Sequence, residues 1–176
     1  MRLARAELSG EQLSGVLDSY GLLPDELAGH GAVWDMIAGA SQFFWLHAGR
    51  RNVGLVWLSD IVPGATASIH IMLSKPFRRF MRPESLSKTP VRDINTAGKM
   101  AVWGDLAEYC FESLGVRRIT APIPKSRKAA VRLVRRLGFQ REGCVRSGAS
   151  FCGRPEDVWL FGLTKEDYHG IRGSGS

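Results

Sequence analysis

Histidine is scarce in this chain, four residues among 176, and one of the four stands where it could do chemistry. His70 lies inside Ala67–Leu73, a run whose alternation places Ile69, Ile71 and Leu73 on one strand face and Ser68, His70 and Met72 on the other. An imidazole titrates close to neutrality, so His70 can act as a base; the plainer alternative is a hydrogen-bonded structural histidine under a helix. Glu108 and Tyr109, adjacent in a helical stretch, offer another base and acid, against the ordinary reading of surface and packing residues. His30 and His47 have no companions at metal-ligand spacing. Cys110, Cys144 and Cys152 form no CxxC pair, so neither a zinc site nor a disulfide framework is expected. With no histidine or helix start evident beside them to lower a thiol pKa, the cysteines read as packing residues rather than nucleophiles.

Twenty-four Lys and Arg against seventeen Asp and Glu leave a net charge of +7. Lys128, Arg132, Arg135 and Arg136 recur at helical spacing and form one charged face, with Ala130, Val134 and Leu137 on the opposite one. A solvated helix face is the default reading; the functional ones are contacts to a phosphate group, an acidic protein or a nucleic-acid backbone. Arg78, Arg79 and Arg82 form a second basic cluster, next to Phe77 and Phe80, whose rings could stack on a base. No sequence-reading nucleic-acid motif accompanies either cluster.

The elements that must position these groups follow from spacing and turn chemistry. The length suits one domain, and 44% hydrophobic with 23% charged residues is ordinary for a globular protein. No apolar run approaches the roughly 20 residues of a membrane span, and Met1–Arg5 is not followed by an apolar signal region, so a cytoplasmic protein is expected. Ser9 caps a helix over 9–20, and a broken helix follows over 24–38. Strands at 43–47 and 53–58 make a hairpin around Gly49–Asn52, and Pro63-Gly64 turns the chain into a third strand, 67–73. A helix starting at Asn95 or Thr96 runs to Leu114 and stops at Gly115; a strand over 116–123 and a helix to Arg136 follow. Strands at 139–150 and 157–164, joined by Gly153-Arg154-Pro155, close the chain. We take 1–170 as one domain, 75–94 as a long basic loop or insertion, and 171–176 as linker or tag remnant.

The C-terminal half carries a series of short motifs in order: Arg136-Leu137-Gly138-Phe139, Arg141-Glu142-Gly143, Arg146, Gly153, Asp157 and Phe161-Gly162-Leu163. It resembles the closing β-α-β-β part of the GNAT N-acetyltransferase superfamily, in its ribosomal-protein-acetyltransferase-like branch. Leu114–Ile119 resembles the segment joining that family's central helix to its fifth strand, and Ile69–Arg79 its fourth strand and following loop. Some phage-encoded relatives look similar, with a histidine in the same strand. The resemblance covers about residues 42–164 and implies an α/β (α+β) fold: a mixed, mainly antiparallel sheet flanked by helices and splayed between strands 4 and 5.

It also implies an N-acyltransferase that uses acetyl-CoA as co-substrate, needs no metal, and transfers the acyl group directly to an amine of a protein or small molecule. His70 would be the catalytic base, and backbone N–H groups at Met72 and Leu73 would polarise the thioester carbonyl. The family's phosphate loop does not match well. Arg78 falls on its Gln/Arg position, but Met81 and Pro83 occupy its glycine positions, and proline has no N–H to donate. Arg78 and Arg79, with a helix start at Asn95-Thr96-Ala97-Gly98-Lys99, are the alternative pyrophosphate contacts. Arg127 stands where the family carries an asparagine that serves the cofactor, and Val134 where it often carries an acidic tyrosine. These departures leave two rivals to the enzyme: a catalytically degenerate binding or assembly protein, and a GNAT-like enzyme that modifies nucleic acid.

Overall fold

A computed structural model of the chain describes residues 2–19, 35, 37–39, 41–48, 50–73, 103–151 and 154–173. Strand β1 (Arg2–Ala6) and helix α1 (Gly10–Ser19) come first, then β2 (Gln42–Ala48), β3 (Arg51–Val62) and β4 (Thr66–Leu73). Helix α2 spans 103–113, and β5 (Arg118–Pro124), α3 (Lys128–Arg136), β6 (Gln140–Phe151), β7 (Arg154–Thr164) and α4 (Lys165–Gly173) complete the order. The strands form one seven-stranded sheet in the order β1-β2-β3-β4-β5-β7-β6. Every neighbouring pair is antiparallel except β4 and β5.

Both sheet faces are covered, which explains why strand residues of either parity are apolar. On one face Phe44, Val56, Leu58, Ile69, Ile119, Phe161 and Leu163 pack with Trp103, Phe111, Val134 and Tyr168 from α2, α3 and α4. On the other, Phe43, Leu55 and Met72 pack with Leu13 and Leu17 of α1. The start of α1 is a reciprocal cap: the Gln12 amide donates to Ser9 Oγ at 3.2 Å and the Ser9 amide to Gln12 Oε1 at 2.9 Å. The turn between β3 and β4 follows from Pro63-Gly64: Gly64 takes φ +74, and the Ala65 amide donates to the Val62 carbonyl at 2.9 Å. That turn also seats β5, because the Ala65 carbonyl accepts the amides of Arg117 and Arg118 at 2.9 and 3.1 Å.

Several expectations are corrected. β1 was not expected; its short alternation of Arg, Leu and Ala suits a charged edge strand, and only pairing with β2 makes it one. The helix ending at Leu114 closes in a π turn over Tyr109–Ser113, which brings Phe111 into the core beside Cys110. β5 starts at Arg118 rather than 116, and β7 already at Arg154, inside the expected turn. The chain also makes α4 where no helix was expected, and it runs to Gly173, into the stretch read as linker. Thr164 caps α4, accepting the Asp167 amide on Oγ1 at 3.1 Å, and buried Tyr168 donates to the Gly104 carbonyl at 3.2 Å. The expected broken helix over 24–38 and the loop over 75–94 lie largely or wholly outside the described residues.

Candidate active site

β4 and β5 pair in parallel at only three positions, Thr66 with Arg118, Ala67 with Ile119 and Ser68 with Thr120. Beyond them both strands continue, β4 to Leu73 still paired with β3 and β5 to Pro124 still paired with β7, but not with each other. The sheet therefore splays at its centre, and among the described residues the backbone donors and acceptors along the parting edges have no strand partner across the gap. Because the two strands run in the same direction, the opening leads toward Leu73 on one side and the start of α3 on the other.

His70 lies two residues past the last paired position, on the face of β4 shared with Ser68 and Met72. Its ring stacks on Trp57, directly opposite in β3, with centroids 4.7 Å apart and planes 11° from parallel. Trp57 in turn stacks on Phe43 of β2 at 6.5 Å, so three strands contribute one aromatic row. Ser59 Oγ lies 2.9 Å from His70 Nε2 and donates to Asp60 Oδ2 at 2.9 Å. Asp60 sits where the β3–β4 register shifts, with φ +49, a left-handed conformation that few residues other than glycine adopt. Burial pushes the His70 pKa below its ordinary 6.5, and the Asp60 charge offsets part of that. The imidazole is therefore neutral at physiological pH, the form a base must have.

Met72 is buried against α1, and Leu73 is the last residue of β4, opposite Gly54. Arg127 is the exposed residue before α3. The Ser126 amide beside it is already met by Glu156 Oε1 at 2.5 Å. Arg78, Arg79, Asn95, Thr96, Ala97, Gly98 and Lys99 lie outside the described residues. Val134 is 6% exposed in the core between α3 and the sheet, and valine has no proton to donate. Glu108 is exposed, while Tyr109 donates to Gln42 Oε1 at 2.7 Å and packs edge-on against Phe44. Lys128, Arg132, Arg135 and Arg136 all point outward.

The other motif residues hold the second half of the sheet. Glu142 forms a two-pronged ion pair with Arg118 across Gly162, where any Cβ would collide with both side chains. Asp157 accepts from Lys125 Nζ at 2.7 Å and from the Ser147 amide at 3.0 Å. Lys125 and Arg141 each lie 4.5 Å from the centre of the Trp159 ring. Ser59, Asp60 and Trp57 were missed in the sequence. The available signal was the polar Ser59-Asp60 pair interrupting the apolar run from Val53 to Val62, but the register that sets it against His70 appears only in the sheet.

Cys110 is buried and its thiol is pushed up to about 12, whereas Cys144 is exposed. Iodoacetamide applied to the folded protein at pH 8 is expected to label Cys144 and spare Cys110, as read by peptide mass spectrometry. Labelling of Cys110 at a comparable rate would contradict this packing. Among the described residues no group of three or more His, Cys, Asp and Glu is arranged to hold a metal ion, and no helix is long and apolar enough to cross a membrane.

A splayed, seven-stranded sheet of this order can be compared with known proteins. A chimera of the spermidine N-acetyltransferase SpeG from Vibrio cholerae and hSSAT superposes with a TM-score of 0.67 at 17% identity, over 97% of this chain and 99% of that one. A spermidine/spermine N-acetyltransferase SpeG of Vibrio cholerae, solved with manganese ions, gives 0.63 at 17% identity, over 97% and 96%. The chain has the GNAT fold. In sequence it is 37% identical over 65 residues to the uncharacterized N-acetyltransferase p20 of Bacillus licheniformis, a stretch covering 37% of this chain and 36% of that protein. No family model matches the chain.

Proposed function

We propose that the protein is an N-acetyltransferase that takes an acetyl group from acetyl-CoA and transfers it to an amine at the splay between β4 and β5. The observation that carries this reading is the parting of those strands after Ser68 and Thr120, with a neutral, oriented histidine two residues beyond. Acetyl-CoA supplies an activated acyl group. The protein's part is to deprotonate the amine, hold the carbonyl and keep the two together. A lysine or amino terminus arrives protonated, near pKa 10.4 or 7.7–8.0, and must lose that proton as its nitrogen attacks. His70 takes it. One backbone N–H of the Met72–Leu73 pair, the one turned to the edge of β4 that β5 has left, would stabilise negative charge developing on the carbonyl oxygen. With Val134 in the core, no tyrosine there returns a proton to the departing sulfur; the imidazolium formed at His70 or solvent must do so.

The acceptor is expected to be a neutral or acidic molecule carrying one amine, such as the amino terminus of an acidic peptide. The Vibrio cholerae proteins are named for spermidine, a polycation, whereas this chain carries +7, which slows the approach of a polycation and favours an anionic partner. At low salt, the acetylation rate should be higher for an acidic peptide than for spermidine, and the difference should shrink as salt is raised. A preference for spermidine would remove the acidic-acceptor assignment and leave the transferase reading intact.

Val134 also favours a second reading, a GNAT-fold module that has lost catalysis and binds a partner. Calorimetric titration with acetyl-CoA and with CoA separates the two. Micromolar binding together with acetyl transfer supports the enzyme; no binding up to millimolar acetyl-CoA favours the module.

A further inference from the structure

His70 is not held by packing alone. Trp57 fixes the plane of its ring, and Ser59 fixes its rotation within that plane. The direction of the hydrogen bonds follows from valence. An ionised Asp60 carboxylate can only accept, so the single Ser59 hydroxyl proton goes to Asp60 Oδ2. Ser59 Oγ is then an acceptor toward the ring, and His70 Nε2 must carry the proton that bridges their 2.9 Å separation. Neutral imidazole has one N–H, so Nδ1 is the unprotonated nitrogen and carries the lone pair.

We propose that Ser59 and Asp60 are positioning residues that lock His70 in its Nε2–H tautomer and so present Nδ1 as the nitrogen that takes the proton of the acceptor amine. The catalytic half of this statement rests on His70 being the base; the tautomer half does not. Two features beyond the hydrogen bonds support it. Asp60 adopts its left-handed backbone at a register shift, a conformation a non-glycine residue holds at a cost, and it places the carboxylate beside Ser59. The ring's same-face neighbours are Trp57 and Ser59 on β3 and Ser68 and Met72 on β4. Among the described residues, Asp60 is the ionised group that acts on it.

Nitrogen-15 correlation spectra of the histidine side chains read the tautomer directly, with no substrate present. Above its titration range, His70 in the intact protein should appear as the Nε2–H form. Ser59→Ala should leave a mixture of both tautomers. Asp60→Asn, chosen because asparagine tolerates the left-handed backbone, lets the amide donate to Ser59 and reverses the chain of donors, so the Nδ1–H form should gain population. In assays with acetyl-CoA and an acidic peptide, each variant should lose about tenfold in kcat/KM, part of the about 10²–10⁴-fold a positioned base supplies. Asp60→Asn should also move the acid limb of kcat/KM to lower pH, because losing the carboxylate lowers the His70 pKa further. A merely structural role for Asp60 would leave that limb in place. An Nδ1–H tautomer in the unaltered protein, or tautomer populations and acid limb both unchanged in Asp60→Asn, overturns the proposal. If the spectra agree but His70→Gln retains full activity, the lock stands and the catalytic assignment of His70 fails.

Discussion

Replacing His70 with glutamine is expected to lower kcat/KM for amine acetylation by about 10²–10⁴-fold, the contribution of a positioned general base. Glutamine is the informative substitution, because its side-chain amide can still donate to Ser59 where the imidazole does, yet it cannot take a proton. The affinity for acetyl-CoA should stay within about twofold, since the pyrophosphate contacts expected for the co-substrate lie elsewhere in the chain. The pH profile supplies the second check. Burial lowers the His70 pKa below 6.5, so activity should hold through neutrality and fall only as pH drops through that lower folded-state value. The same shift affects stability. Below about pH 6.5 the unfolded chain binds a proton that the native imidazole resists, so His70 contributes a loss of stability on acidification that ends once the native ring also protonates. His70→Gln should remove that contribution from the acid limb of a denaturation series. Full activity in the variant, at unchanged stability, would return His70 to the structural role.

The largest stability effect is expected at Gly138. It follows α3 with φ +93, and its amide donates to the Arg135 carbonyl at 3.1 Å while Phe139 donates to Val134 at 3.0 Å, the double bond that ends a helix in a left-handed residue. A Cβ there would also run into the Ile171 side chain of α4. Gly138→Ala thus meets about 1–2 kcal/mol for a left-handed alanine, whereas the Ile171 contact is with the terminal methyl of an exposed side chain that can turn away at little cost. A loss of about 1–2 kcal/mol in urea unfolding is expected. Adding Ile171→Ala should recover little of it. If the double variant regains most of the lost stability, the contact with α4 and not the left-handed backbone is what the glycine accommodates.

Gly138 shows how the two levels of information divide. Its place after Arg136-Leu137 and before Phe139 marks it as a helix stop from local chemistry, because only glycine takes a left-handed residue without strain. The Ile171 side chain beside it was not legible, since α4 was unexpected. That helix carries glycines at 170 and 173 and has little intrinsic tendency to form. It depends on the cap at Thr164 and on Tyr168 entering the core, and a docking surface is not a local property. The Thr164–Asp167 spacing was the one local sign of it.

Turns, caps and alternation are set by residues a few positions apart, so the β2–β3–β4 meander, the cap at Ser9, the Pro63-Gly64 turn and the inward face of α3 could all be read from the chain. Alternation also places His70 on one face of a strand with Ser68 and Met72, but the resemblance of that strand to the GNAT fourth strand is what singles it out as a base. Tertiary structure alone decided what His70 touches. Trp57, Ser59 and Asp60 are separated from it by ten or more positions, and they meet it through a strand register that includes an irregularity at Asp60. The splay is also a tertiary property: pairing between β4 and β5 stops after three residues because each strand follows its other neighbour, a balance between distant segments that no local pattern encodes.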